Sequence, residues 1–279
     1  MKRLAYTLAG VICLLASGSS GAAADRSGDL VLSIWRGSGS TRNLDLALVS
    51  AAGGAPRFLT HVAVDDHSPS WSPRGDRIVF VRRGAERGGI YILRLSGATT
   101  IRLTHGPLEG APAFSPDGTQ IAFSRYAQIF VMRADGRGQR RVARTRWAPR
   151  QLSWSADGRR LLYGDEGTLR TLDVATGAVT RLGVSGFRPA VSTDRTRIAY
   201  MASGGVGPYY RDLNWGVYVA DSNGANAERV VAGQFGPLSW APDGSRLLAT
   251  NGLELAFVDL GAKTLTRLPH RGSGGAFRP

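Results

Sequence analysis

A short segment recurs six times along this 279-residue chain, at intervals of about forty positions. In its best copy the segment runs from Pro112 to Gly118 and contains a Ser-Pro-Asp-Gly turn sequence. The spacings between the central residues of successive copies are 43, 40, 37, 49 and 37 positions. Those central residues are Trp71, Phe114, Trp154, Val191, Trp240 and Phe277. A period of this length predicts that one supersecondary unit is stacked radially or as a solenoid.

The repeat spanning residues 111–144 predicts four short strands. The first three are rich in branched and aromatic residues, which suits burial between neighbouring sheets. The fourth carries Arg140 and Arg141, and charge on an edge strand discourages aggregation. The predicted strands cover residues 111–115, 121–124, 128–132 and 139–143. A four-stranded sheet with an apolar interior and a charged outer edge is typical of a propeller blade.

The two ends of the chain complement each other. Residues 30–60 contain candidates for a second, third and fourth strand, but no first strand precedes them. Residues 274–278 form a candidate first strand that no blade follows. We therefore predict an all-β fold over residues 25–279, a single six-bladed β-propeller of four-stranded antiparallel blades. The C-terminal strand is expected to close the ring by pairing with the N-terminal blade.

Residues 1–24 have the features of a secretory signal peptide. Lys2 and Arg3 precede an apolar stretch, and Ala22 to Ala24 form a small-residue cleavage site. We expect export to the periplasm or the medium, no transmembrane segment and a monomer. The single cysteine, Cys13, lies within the signal peptide, so no disulfide is expected in the mature chain.

The formal net charge is +14, and it becomes +12 once Lys2 and Arg3 are removed. Nearly all of the positive charge is arginine, and it is dispersed along the sequence. A positive field favours acidic partners, whereas export argues against nucleic acid. The predicted partner is a protein or an envelope glycan. The alternative is that the dispersed arginines only follow from the base composition of the genome and have no role in binding.

The segment from Pro112 to Ser124, with Ile129 to Met132 and Asp135-Gly136, resembles the WD40-like PD40 repeat. That repeat forms the propellers of TolB-like periplasmic proteins and of tricorn-type and prolyl-oligopeptidase-type peptidases. The resemblance covers Asp29 to Pro279 and implies a TolB-like propeller. The sequence has no Gly-x-Ser-x-Gly elbow, which argues against peptidase activity.

Candidate binding residues fall in the loops of one face, which we call the upper face. It holds the connections from fourth to first strands and from second to third strands, and binding sites favour loops on rigid scaffolds. An insertion at 203–215 and the loop near residue 147 supply tyrosine, tryptophan and arginine, the types enriched in interface hot spots. The candidates are Tyr209, Tyr210, Arg211, Trp215, Arg146 and Trp147. The alternative is that these aromatic side chains pack back onto the blades.

Two further groups of residues could carry chemistry. Asp65, Asp66 and Glu109 lie in adjacent upper-face loops and could bind a ligand or a cation, or simply solvate their loops. His61, His105 and His270 share one repeat position. Neighbouring sheets would hold them ~10 Å apart, so these histidines are only weak metal candidates.

The sequence thus predicts an exported, non-catalytic binding or scaffolding propeller that acts through its upper face. No metal, cofactor or catalytic residue is predicted. The alternative is a metal-assisted lyase or hydrolase that acts on an anionic saccharide in the propeller channel. Catalysis would require titratable side chains that converge at the channel mouth, whereas binding would require exposed aromatic and arginine side chains.

Overall fold

The computed structural model describes residues 29–38, 42–51, 54–203 and 215–279. Within these ranges the regular structure is β-strand, apart from one 3-10 turn at Ser96–Ala98. The predicted signal peptide lies outside the described residues, as do Tyr209, Tyr210 and Arg211.

Four blades are antiparallel sheets of four strands, each in sequence order from the inside outward. The first contains β4 (Asp66–Trp71), β5 (Arg77–Arg82), β6 (Gly89–Arg94) and β7 (Thr99–Arg102). The second contains β8 (Glu109–Phe114), β9 (Gln120–Arg125), β10 (Gln128–Arg133) and β11 (Arg140–Arg144). The third contains β12 (Leu152–Trp154), β13 (Arg160–Asp165), β14 (Thr168–Asp173) and β15 (Val179–Ser185). The fourth contains β16 (Phe187–Val191), β17 (Arg197–Ser203), β18 (Trp215–Asp221) and β19 (Glu228–Ala232).

The two ends of the described chain meet in one curled seven-stranded sheet. From the C-terminal part come β20 (Ser239–Trp240), β21 (Arg246–Thr250), β22 (Glu254–Asp259) and β23 (Thr264–Phe277). From the N-terminal part come β1 (Asp29–Arg36), β2 (Asn43–Ser50) and β3 (Arg57–Phe58). The sheet order is β20-β21-β22-β23-β1-β2-β3.

The prediction of a closed ring of six four-stranded blades is wrong. The structure has a ring of four such blades and the seven-stranded sheet. The reason lies in β23, whose fourteen residues form one continuous strand. Its first part pairs with β22, and its last residues pair with β1, where Phe277 lies opposite Leu30. The expected pairing between the chain ends is therefore present, but the shared strand merges what would have been two blades.

The aromatic residues of the repeat tie successive inner strands together. The indole Nε1 of Trp154 donates a hydrogen bond of 3.0 Å to the carbonyl of Ala113 on the preceding blade. Trp240 does the same to Ala190 at 2.9 Å, and Trp71 donates to Ala276 of β23 at 3.2 Å. Because buried indole N–H groups need a partner, these bonds explain why tryptophan recurs at this position.

The core lies between the sheets. Side chains from neighbouring blades form shared clusters, such as the one that joins Ala122 and Val131 of one blade to Trp154 and Leu161 of the next. The turn aspartates hold the lower ends of the blades. Oδ1 atoms of Asp117, Asp157 and Asp243 each accept a hydrogen bond of 3.0 Å from the backbone N–H two residues later.

Candidate functional site on the upper face

The pairing of the strands determines which loops lie together on the upper face. Asp66, the first residue of β4, lies opposite Arg82, the last of β5, which in turn lies opposite Gly89, the first of β6. The loops that lead into first strands and those that join second to third strands therefore lie at the same end of each blade.

Two of the predicted carboxylates form ion pairs inside the blades. The Asp66 side chain is fully buried and accepts two hydrogen bonds of 2.7 Å from Nε and Nη2 of Arg82. Burial raises the pKa of Asp66, although Arg82 opposes that shift. Glu109 is likewise buried and accepts a hydrogen bond of 2.9 Å from Nε of Arg125 and one of 3.1 Å from the Ile90 N–H. Both carboxylates thus stabilise the start of an inner strand.

The third acidic candidate, Asp65, and the histidines His61 and His105 have separate surroundings and do not form a common cluster. Asp65 accepts a hydrogen bond of 2.9 Å from the Leu44 N–H. His61 lies edge-on to Phe58, with ring centroids 6.1 Å apart, and His105 is exposed. Within the described ranges, no three His, Cys, Asp or Glu side chains come together in a way that could hold a metal ion. His270 is partly buried.

His67, the second residue of β4, is held in its neutral form. Its Nδ1 lies 3.0 Å from Oγ of Ser68, and its Nε2 accepts a hydrogen bond of 3.1 Å from Nε of Arg83. Burial and the charge of Arg83 lower the pKa of His67 to about 4, against the opposing charge of Asp65. An unprotonated Nε2 is required for the contact with Arg83.

This histidine should make the fold less stable in mild acid. Between pH 6.5 and 4 the unfolded chain binds a proton at His67 and the folded chain does not, so the stability falls as the pH falls. We expect the wild type to lose about 2.5 kcal/mol between pH 7 and pH 4.5 relative to His67→Gln, because each of the two pH units between 6.5 and 4.5 is worth up to about 1.4 kcal/mol. Urea unfolding of both proteins at pH 7 and pH 4.5 measures the difference. Parallel pH profiles would contradict it.

The innermost strands surround a channel of ≈ 350 Å³. Small and apolar residues dominate its lining, and the charged side chains among its described residues are Arg150 and Arg195. An arginine does not exchange its proton in proteins. The charge of the channel lining, as far as it is described, is therefore positive.

Gln151 spans the upper end of this channel. Its side-chain Nε2 donates a hydrogen bond of 2.7 Å to the Leu238 carbonyl, and its Oε1 accepts one of 3.2 Å from the Leu238 N–H. Gln151 precedes β12 and Leu238 precedes β20, so these two bonds join the third blade to the seven-stranded sheet. The blade of β16 to β19 lies between them in chain order. This contact fixes the strand entry next to Arg150.

Exposed apolar side chains are concentrated on the upper face. Of the six large apolar side chains that are exposed in the described chain, Leu108, Tyr126, Trp147 and Leu253 lie in upper-face loops. Tyr126 is 58% exposed, Leu108 54% and Trp147 48%. The other two, Ile101 and Val179, lie on outer edge strands.

Three of these side chains belong to adjacent upper-face loops, and we call them together the apolar crest: Leu108, Tyr126 and Trp147. Their loops are joined by backbone hydrogen bonds. The Tyr126 N–H donates to the Leu108 carbonyl at 3.2 Å, and the Thr145 N–H donates to the Ala127 carbonyl at 3.0 Å. The hydroxyl of Thr145 then donates to the Trp147 carbonyl at 2.8 Å. The sequence had singled out Trp147 only.

Trp147 is presented on a fixed backbone. Oδ1 of the buried Asp165 accepts hydrogen bonds from the N–H groups of Arg146 at 3.1 Å and Trp147 at 3.2 Å. The Arg146 side chain is 70% exposed and forms an ion pair of 3.3 Å with Glu166. Trp215 is partly buried instead, with its ring 6.1 Å from that of Phe187.

Tyr126 occupies a strained backbone conformation. Its φ is +52°, in the left-handed region that bulky residues avoid. We expect Tyr126→Gly to be more stable than Tyr126→Ala by about 1 kcal/mol, because only alanine retains the steric cost. Urea unfolding of the two variants isolates this strain, since both lack the exposed ring. Equal stabilities would show that the turn is not strained.

Comparison with known proteins places the fold among TolB-like propellers. The family model described as the TolB beta propeller domain, PD40, matches residues 30–206. TolB from Acinetobacter baumannii has a TM-score of 0.78 at 22% identity, covering 91% of this chain and 67% of that one. A putative TolB from Agrobacterium tumefaciens has a TM-score of 0.63 at 18% identity, covering 79% and 87%. At these identities the structural likeness shows the fold alone.

One curated relative is closer in sequence over a short stretch. An uncharacterized protein of Agrobacterium fabrum is 31% identical over 102 residues, which is 34% of this chain and 34% of that protein. The match therefore spans about a third of the relative's length. In the described part of the chain, no helix has the length and apolar character needed to cross a membrane.

Proposed function

Because the chain belongs to the PD40 family of TolB beta propeller domains, we propose that it binds a protein partner through its upper face without catalysing a reaction. The observation that carries the proposal is the apolar crest. Exposed apolar patches on soluble proteins mark interaction sites, and aromatic side chains dominate binding energy when a partner buries them.

The charge distribution around the crest supports a partner with acidic groups. On the upper face, the carboxylates of Asp66, Glu109 and Asp165 are buried and bound to neighbouring groups. The turn aspartates lie at the opposite ends of the blades. Arg146 is 70% exposed beside Trp147, and its ion pair with Glu166 is a surface contact. Because such surface pairs are weak, an acidic group of a partner can compete with Glu166 for this guanidinium.

The proposed interface extends to the insertion between β17 and β18. These strands end and begin at the pair Ser203 and Trp215, at the upper end of their blade. We assign Tyr209, Tyr210, Arg211 and Trp215 to the same binding surface on their residue types. Because a signal peptide is predicted at residues 1–24, the proposed place of action is the periplasm or the extracellular medium.

Capture from a native envelope extract tests the proposal. The bait is the mature chain, compared with Tyr126→Ala/Trp147→Ala and with Ile101→Ala/Val179→Ala as a control that removes apolar surface from edge strands. A defined protein that is retained by the wild type and the control but lost with the crest variant supports the proposal. Equal capture by all three baits, or retention of an acidic glycan and no protein, would overturn it.

A further inference from the structure

Arg188 differs from the other arginines of the described chain that are partly buried. Each of the others forms an ion pair, a hydrogen bond or an aromatic contact. Arg82 and Arg125 pair with buried carboxylates, Arg197 donates to the Gly244 carbonyl, and Arg246 lies over the Phe257 ring. Among the described residues, Arg188 has no carboxylate, carbonyl or aromatic partner. Because a guanidinium carries five donors, such a group is ready to bind an acceptor.

The backbone at Arg188 departs from regular strand geometry. Arg188 has a φ of +52° and precedes Pro189, and the pairing of β16 with β17 shifts register between Phe187 and Ala190. The same bulge occurs at Ser68 and Ala111 of earlier repeats, both with positive φ. Those two repeats place small neutral residues where this one places an arginine.

A second arginine, Arg150, lies near enough to Arg188 for the two charges to interact. An added Cβ on Gly236 would lie 3.0 Å from Nη1 of Arg188, so the guanidinium lies against that backbone. Two residues further on, Leu238 is bonded to Gln151, the residue after Arg150. Burial, together with the charge of Arg150, lowers the pKa of Arg188. Arg150 is exposed, lines the channel, and has no acidic partner in the described chain either.

We infer that Arg150 and Arg188 bind an anionic oxygen group, a carboxylate or a phosphate, at the upper mouth of the channel. No carboxylate pairs with either guanidinium among the described residues, so their like charges repel each other, and an anion bound between them converts that repulsion into attraction. Guanidinium groups bind carboxylate and phosphate oxygens with paired hydrogen bonds. The carboxylate could come from a partner's side chain and the phosphate from a free ion. The inference does not depend on the proposed protein partner, because a free anion can occupy the site.

Thermal unfolding in the presence of small anions tests this inference. The probes are citrate and inorganic phosphate, each at 10 mM and each compared with sodium chloride at the same ionic strength. An anion that binds at about 1 mM should raise the Tm of the wild type by about 3 °C. We expect Arg188→Gln to lose most of that shift and Arg159→Gln, which removes an exposed arginine from the lower face, to retain it.

The outcomes separate the two sources of the anionic group. A larger shift with citrate assigns a carboxylate, and a larger shift with phosphate assigns a phosphate. If Arg188→Gln does not fold, Arg150→Gln is measured in the same way. No shift of the wild type beyond that in sodium chloride, or equal shifts in the wild type and the arginine variant, would overturn the site. Since no partner is present, these results are independent of the capture experiment.

Discussion

Trp147→Ala is expected to weaken binding of the captured partner by at least about 30-fold. The indole is about half exposed in the free chain, and its backbone is already fixed by Asp165. A rigid aromatic side chain loses little entropy when a partner covers it, and the truncation of such hot-spot residues costs about 2 kcal/mol or more. Each 1.4 kcal/mol corresponds to about a tenfold change in affinity.

Titration calorimetry with the partner identified by capture measures this effect. Val179→Ala provides the control, because Val179 is 45% exposed but lies on an outer strand. It should change the affinity less than threefold, since a surface contact outside an interface contributes almost nothing. The Tm of Trp147→Ala should remain near that of the wild type, because little packing is removed. A binding loss that is shared by Val179→Ala would locate the interface elsewhere.

The repeat in the sequence predicted most of the strands correctly, and its failure at the chain ends has a specific cause. Residues 264–277 contain Pro269, Gly272 and Gly274, which favour a loop between two strands. In the structure these residues continue one strand, since irregular pairing opposite Glu254 and Ser33 lets it pass from one neighbour to the other. The sequence alone does not indicate whether a segment that changes its pairing from β22 to β1 remains one strand or is divided by a loop.

The role of the buried carboxylates could have been found in the sequence. Asp66 precedes Arg82 by sixteen residues, and Glu109 precedes Arg125 by the same interval. In a hairpin whose inner strands are about six residues long, that interval places the two side chains opposite each other. No sequence pattern indicates that Leu108 and Tyr126 are exposed, because apolar residues beside strands usually indicate burial. Their exposure depends on the loops that surround them.

Asp66→Asn is expected to reduce the free energy of unfolding by about 3 kcal/mol. The carboxylate is fully buried, and the Arg82 side chain that it binds is only 12% exposed. Removing one partner of a buried ion pair leaves the other charge buried without compensation, which costs about 3–5 kcal/mol. Asp76→Asn is the matched control. Asp76 is 49% exposed, lies 3.5 Å from Arg77 and accepts a hydrogen bond of 2.7 Å from Oγ of Ser72. The amide oxygen of asparagine can accept the same bond, so the change removes only a surface pair, which contributes less than about 1 kcal/mol.

A double-mutant cycle distinguishes the ion pair from simple packing. Burial already raises the pKa of Asp66 in spite of Arg82, so the pair is costly to bury, and removal of both charges relieves that cost. Asp66→Asn/Arg82→Gln should therefore be more stable than Asp66→Asn alone in urea unfolding. If the two substitutions add, the carboxylate and the guanidinium act independently, and the blade is held by its apolar contacts instead. If they couple, Asp66 and Arg82 act as one unit that stabilises their blade, and this carboxylate is not free to bind a partner.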